Sequence, residues 1–485
     1  MGEIPSFINP KTVGGENPYS QLLEKGISRE HIKAVHDKFG LIVGTTAIHG
    51  YEPGQISINT GLQVNNTFMR KGLSPIPIVV PYVPGDDVYG SRMLRVYHDV
   101  YSPGEQRQVF LSEDLGHALL ETQFGRGGYQ RHLLNVRDNI GSVHRGLGAL
   151  LDGPFEVHNL LAPSQSRLVD PTVRSILEIN AGANASLANV SDRVEAYGAF
   201  PVTFDGLIKF IQKNNDFFEY GDRLLQRVLG IATDMSQDLN AVILPDLHTL
   251  GEESWFEREY PESFITPPWK RRLDPPDVSI DIRERTITID TNNRETKPVT
   301  GYRPDKGVVY VNVSGNDMGS QAAQAFVYAA QDDGYVVAAP GWLRDQWIAQ
   351  EKDEKSRSAL ENVLASGPNI LFAKYDGEPL CKAFFMRLGM GSYAYAQLAG
   401  VPIIYLGFDT IDNPEMVGNS AVVRKNGLGI RYTGDEDTMQ KVRELSTNYL
   451  PFNNVVYQRY GISRDVDGLS AVANIILLDQ VNRMN

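Results

Sequence analysis

Four consecutive residues, Gly389-Met390-Gly391-Ser392, follow a short apolar run ending at Arg387 and precede a small-residue stretch, Tyr393 to Ala399. A glycine turn that opens a helix leaves backbone N–H groups and the positive end of the helix dipole aimed at one spot. A phosphate or diphosphate is what such a spot holds. Arg387, just ahead of the turn, adds a fixed positive charge that can bond the same group. Imidazole chemistry has to come from elsewhere, because all nine histidines lie at or before His248. His49 is the best placed of them. It follows the apolar run Leu41 to Thr46, on the loop at the carboxyl end of a strand, where open α/β sheets bind their ligands.

The elements that must position these residues are short apolar runs alternating with amphipathic stretches, the mark of βαβ units in parallel sheets. The first unit reads as a strand over Leu41 to Thr46, a loop over Ala47 to Gly54, a helix from about Gln55 to Lys71 and a strand over Ile76 to Val83. Phe155 to Leu161, Ser175 to Ile179 and Ala241 to Leu244 read as further strands, the last of them closing the first domain, and Phe204 to Leu229 as a long helix. Pro261 to Pro276 carries five prolines and suits a linker, and Asp277 to Thr291 alternates as a hairpin. A second series opens with strand Val308 to Val313. It continues through helix Ser320 to Asp332 and strands Tyr335 to Ala339, Asn369 to Ala373, Ala383 to Arg387 and Val401 to Leu406. A helix over Gly468 to Asn482 has the character of one that folds back across both domains. The expected division is 1–266, 267–450 and a returning helix in 451–485.

Composition bounds the rest. A chain of 485 residues exceeds one compact core, so two domains are expected. The net charge of −13 disfavours duplex DNA as a partner, because neutralising phosphates needs a basic face. No apolar run is long enough to span a membrane, and the first residues show no secretory pattern. One cysteine, Cys381, offers neither an internal disulfide nor a metal cluster, which fits a cytoplasmic protein.

The order of motifs from residue 300 to 432 resembles the donor-binding region of the two-Rossmann-domain (GT-B) glycosyltransferases, in particular the UDP-glycosyltransferase-like, inverting group. The resemblance is carried by Gly389-Met390-Gly391-Ser392, Gly400-Val401-Pro402, Asp412-Asn413-Pro414, Asn419 and Gly427-Leu428-Gly429-Ile430, in that order. Val308 to Asn316 is similar to the family's first second-domain strand and its serine turn, and His49 sits where the family keeps a catalytic histidine. Two positions depart from the pattern. The family's turn histidine falls on Arg387, and its ribose-binding glutamate on Tyr395.

The resemblance implies an α/β fold of two Rossmann-like domains facing a central cleft. It implies transfer of a sugar from a nucleoside diphosphate sugar, UDP-sugar first, to an acceptor hydroxyl, by inversion and without a metal or cofactor. Ser314, Gly315, Asn316, Arg387, Gly389, Met390, Gly391, Ser392 and Tyr393 would hold the donor, and Asp412 and Asn413 the hydroxyls of its sugar. His49 would be the base, oriented by an acid such as Asp114. The alternatives are a non-catalytic nucleotide-sugar-binding protein, or an epimerase or phosphorylase-like enzyme on the same fold. Plainer readings stand beside these roles. His49 can be a loop histidine bonded to backbone, Ser112-Glu113-Asp114 reads equally well as a helix start, and the acid pairs Asp86-Asp87 and Asp435-Glu436-Asp437 suit solvated turns. The acceptor has no signature.

Overall fold

The computed structural model describes residues 26–46, 51–82, 101–113, 115–116, 155–157, 167–169, 175–181, 186–189, 191–198, 240–245, 263–266, 278–281, 286–289, 307–313, 317–365, 374–375, 378–379, 381–406, 419–420, 423–424, 427–434, 437–448 and 468–485. The chain divides into two compact units. The first is Met1–Arg271 with Ile411–Pro414 and Tyr457–Asn485; the second is Arg272–Thr410 with Glu415–Val456.

The first unit is built on a parallel sheet of seven strands in the order β3-β2-β1-β6-β7-β8-β9. They are β1 (Phe39–Thr46), β2 (Ile78–Pro81), β3 (Val109–Ser112), β6 (Ser175–Ala181), β7 (Val194–Gly198), β8 (Ala241–Pro245) and β9 (Ser263–Thr266), with a separate antiparallel pair, β4 (Phe155–Val157) and β5 (Arg167–Val169). Continuous apolar runs such as Ile78–Pro81 form inner strands because helices cover both faces of a parallel sheet. Two details differ from the sequence reading. The proline-rich stretch contains β9, which pairs in parallel with β8 (Val242↔Ser263), so the sheet runs one strand past the expected end. Helix α2 (Tyr51–Arg70), which follows α1 (Arg29–Lys38), starts four residues early. Pro53 does not oppose this, since a first-turn proline forfeits only an N–H that the helix would leave unbonded.

Close approach seats α2 on the sheet. A Cβ on Gly44 would lie 2.7 Å from the Ser57 Cβ, and one on Gly61 3.0 Å from the Ile78 Cδ1. The Ser57 hydroxyl donates to the Ile179 carbonyl at 3.2 Å, and the Asn65 amide caps both backbone groups of Ile76 at 2.8 and 2.9 Å.

The C-terminal helix, Gly468–Met484, belongs to this unit and packs on α1, α2 and β9. Every residue from Gly468 to Val481 except the half-buried Ser470 is buried, the pattern of a helix enclosed nearly all round. Its polar residues meet a cluster at the amino ends of β1, β7 and β8. Lys38 donates to Glu195 Oε1 at 2.7 Å and to Gln480 Oε1 at 2.9 Å, and Asn240 donates to Glu195 Oε2 at 2.6 Å. Gln480 donates to the Tyr197 hydroxyl at 2.6 Å, and that hydroxyl donates to Asp479 at 2.5 Å. Burial, with the Asp479 carboxylate alongside, pushes the Tyr197 phenol far up. It stays a donor at any working pH.

The second unit has a six-stranded parallel sheet in the order β14-β13-β12-β17-β18-β19. Its strands are β12 (Val308–Asn312), β13 (Val336–Ala338), β14 (Leu364–Ala365), β17 (Cys381–Met386), β18 (Ile403–Leu406) and β19 (Gly429–Tyr432), with two small antiparallel pairs, β10 (Val278–Asp281) with β11 (Thr286–Ile289) and β15 (Lys374–Tyr375) with β16 (Glu378–Pro379). In chain order the helices are α3 (Pro103–Gln106) in the first unit, then α4 (Asp317–Asp332), α5 (Gly341–Gln350), α6 (Glu354–Val363), α7 (Met390–Ala399) and α8 (Asp437–Asn448) in the second, then the C-terminal helix, α9. Alternation along the strands divides the core. Val309, Val311, Phe385 and Ile404 join Phe326, Trp347 and Val442 on one face, while Phe384 meets Tyr310 (4.7 Å) and Tyr395 (5.8 Å) edge-on. Asn369 to Ala373, expected as a strand, lies outside the described residues. Among the described residues no helix is long and apolar enough to cross a membrane.

Candidate functional site

Each sheet reverses its direction of growth at one place. In the second unit the chain runs from β12 to β13 on one side and from β17 to β18 on the other, while β12 and β17 lie side by side with Asn312 opposite Met386. Crevices at such reversal points, outside the carboxyl ends of the strands, are where α/β sheets bind ligands. The glycine turn leaves β17 at this point. In the first unit β1 and β6 meet in the same way, with Thr46 opposite Ala181, and the segment that carries His49 follows β1 directly.

The turn is tighter than the sequence reading had it. The Gly389 N–H donates to the Arg387 carbonyl at 2.7 Å, closing a three-residue turn. Helix α7 then begins at Met390, three residues earlier than expected, with the Tyr393 N–H donating to the Gly389 carbonyl at 3.0 Å. Gly389 is thus the N-cap, and Met390 and Gly391 contribute first-turn N–H groups. Ser392 is nine-tenths buried beside them. Tyr393 leaves the candidate donor set. Its N–H makes the first bond of the helix and its side chain is fully buried. Tyr395, at the position of the family's ribose glutamate, is likewise a core residue against Phe384.

The motif's glycines do different work. Gly400 has φ +67° and ends α7 in the left-handed conformation, with its N–H and that of Val401 both donating to the Ala396 carbonyl. A Cβ on Gly429 would sit 2.1 Å from the Ile403 carbonyl oxygen, so β19 reaches β18 only with glycine there. Gly389 has no such reason. Its φ is not among the positive ones, and a Cβ there would meet no described atom within 4 Å. Neither packing against the described residues nor backbone conformation requires a glycine at 389.

Asn419, noted in the sequence only as part of a motif order, holds this turn. Its side chain is 1% exposed and donates to the Leu388 carbonyl at 2.7 Å.

In the first unit, sequence reading missed Glu178. It sits in mid-strand on β6 and accepts from Thr45 Oγ1 (2.6 Å), Ser186 Oγ (2.8 Å), the Leu187 N–H (2.8 Å) and Asn180 Nδ2 (3.4 Å). Complete burial pushes its carboxyl up, and the four hydrogen bonds pull the other way. One charged residue in the run Ser-Ile-Leu-Glu-Ile-Asn-Ala was the available signal. Glu178 is one strand from β1 and bonded to it, whereas β3, which precedes Asp114, is separated from β1 by β2.

Of the residues singled out from sequence, the structure brings together Arg387, Gly389, Met390, Gly391 and Ser392. His49, Asp114, Ser314, Gly315, Asn316, Asp412 and Asn413 lie outside the described residues. Cys381 is buried on β17, its thiol pushed up to about 12 by burial, and is chemically quiet. Among the described residues no group of three His, Cys, Asp or Glu side chains could hold a metal.

The fold has counterparts among solved structures. The UGT71G1 of Medicago truncatula, complexed with UDP-glucose, superposes with a TM-score of 0.53 at 14% identity, covering 92% of this chain and 99% of that one. LpCGTa in complex with UDP gives 0.51 at 13% identity, over 91% and 98%. Arabidopsis thaliana UGT89C1 complexed with UDP gives 0.50 at 12%, over 92% and 100%. This chain has the GT-B fold. No family model matches the sequence, and no curated protein sequence matches it. At such identities the likeness speaks for the fold and not for any side chain.

Proposed function

We propose that this chain is a glycosyltransferase whose second unit holds a nucleoside diphosphate sugar and whose first unit holds the acceptor. The observation that carries the reading is Gly389. It is an N-cap glycine at the reversal point of the second sheet, opening a helix, with open space where a side chain would stand. UDP is the nucleotide to test first, since the GT-B neighbours cited above were solved with UDP or UDP-glucose.

Chemistry follows from the groups. Departure of the nucleoside diphosphate builds negative charge on its oxygens. The N–H groups of Met390 and Gly391, the dipole of α7 and the Arg387 guanidinium stabilise that charge as oriented donors, so the reading requires no metal. His49 takes the proton from the acceptor hydroxyl, which attacks the anomeric carbon from the face opposite the leaving group and inverts it. Asp412 and Asn413 bond the sugar hydroxyls. Glu178 is no candidate for the base. Its four partners tie it into the sheet, where it braces the end of β1 and the segment at 186–189.

A thermal-shift series with UDP, GDP, dTDP and ADP, each alone and as a common sugar, tests the reading. A ligand that binds only the folded chain raises the melting temperature by mass action. A shift confined to one nucleotide names the donor for transfer assays. No shift with any of them refutes the proposal.

A further inference from the structure

We infer that Asn419 is a positioning residue for the donor, acting through the Leu388–Gly389 peptide; the inference rests on the diphosphate reading given above. Two hydrogen bonds hold that peptide by its two ends. Its carbonyl accepts from Asn419 Nδ2 at 2.7 Å, and its N–H donates to the Arg387 carbonyl at 2.7 Å. A peptide unit is planar and stiff, so holding both ends sets its direction. The following peptide is the first of α7, its carbonyl taken by the Tyr393 N–H. The N–H groups of Met390 and Gly391 take their aim from these two planes.

The staple matters because of what stands beside it. Gly389 has no Cβ, and no side chain packs where one would stand, so glycine's wide choice of backbone angles at 389 has to be limited by hydrogen bonds. Leu388 is 1% exposed, so its carbonyl has no access to water and would be costly to leave unbonded. A buried amide from 31 residues further along the chain closes both gaps at once. The turn keeps a glycine's open space without a glycine's freedom.

The test compares wild type with Asn419→Leu, which keeps the volume and deletes the donor, and Asn419→Ser, which keeps a smaller donor. Melting temperature, UDP affinity by calorimetry, donor KM and amide exchange over 387–393 are measured together. Loss of one net hydrogen bond's positioning weakens UDP binding and raises donor KM about five- to tenfold. Acceptor KM should stay unchanged and exchange at 387–393 should rise, with the serine variant intermediate. A lower melting temperature with unchanged UDP affinity and donor KM would make Asn419 merely structural and overturn the inference. Should the leucine variant fail to fold, the serine variant decides on the same readouts. Wild type that binds no nucleotide overturns the donor reading instead, a separate and recognisable outcome.

Discussion

Gly389→Ala puts the central argument to a quantitative test. A methyl group at 389 clashes with nothing within 4 Å and needs no positive φ, so folding should barely notice it. Replacing glycine removes unfolded-chain entropy worth about 0.4–1 kcal/mol. Alanine is a poorer N-cap than glycine by a similar amount, so the two effects offset within about 1 kcal/mol. The melting temperature should then move by no more than about 2–4 °C. Ligand binding is another matter. A methyl group standing where a phosphate approaches α7 displaces it from one or two charge-assisted N–H bonds, each worth about 1.5–3 kcal/mol. UDP affinity should therefore fall about 10- to 100-fold or more, since each 1.4 kcal/mol is tenfold. Calorimetry with UDP and a melting curve on the same sample suffice. Gly429→Ala serves as the contrast, because its Cβ would lie 2.1 Å from a backbone oxygen and should cost folding outright. Unchanged UDP affinity in a well-folded Gly389→Ala protein would refute the placement of the diphosphate. A drop of many degrees in melting temperature would refute the claim of open space.

Three further outcomes are expected. His49→Ala should bind UDP and the donor sugar as wild type does while kcat falls about 10²- to 10⁴-fold, the range for a lost general base; turnover near wild type removes His49 from the mechanism. Glu178 has its folded pKa raised by burial, so its stabilising contribution is full below the unfolded carboxylate range and is lost as pH rises through the folded value. Wild type should accordingly lose stability relative to Glu178→Gln between about pH 4.5 and that value, and denaturant midpoints across a pH series that show the opposite trend contradict the assignment. Tyr197→Phe removes the hydroxyl between Gln480 and Asp479 and should cost about 1–3 kcal/mol in a melt. UDP affinity should be unaffected, because the hydroxyl lies in the first unit.

What the sequence displayed was whatever a strand or helix needs locally. Runs such as Ile78–Pro81 and Ile403–Leu406 are apolar throughout because parallel strands are covered on both faces, and they stood out. Helix starts were less legible. Pro53 and Gly54 look like breakers until they fall in a first turn, and Gly391 and Ser392 look like loop until Gly389 is seen to be the cap. Strand β9 was hidden by the prolines around it. Tyr393 looked like a ligand contact because it follows the glycines, but one turn of helix carries its side chain into the core. Glu178 and Asn419 were the hardest, since each owes its role to partners far off in the chain. For Asn419 the motif order placed the residue without saying what it holds.

The buried C-terminal helix has a bearing on how the chain is made. Residues 468–484 pack beside α1 and α2, so the first unit lacks a wall until the chain has been made beyond residue 468. From Arg271 to Met484 is 484 − 271 = 213 residues, or about 10–40 s of synthesis at about 5–20 residues per second. Through that interval the apolar flank that receives Ile475, Ile476 and Leu477 stands uncovered, while the strands of the later unit, β12 to β19, already have one another to pair with. The first unit is begun before the second and closed after it, and a ribosome stalled short of residue 468 presents the cell's chaperones with an open core.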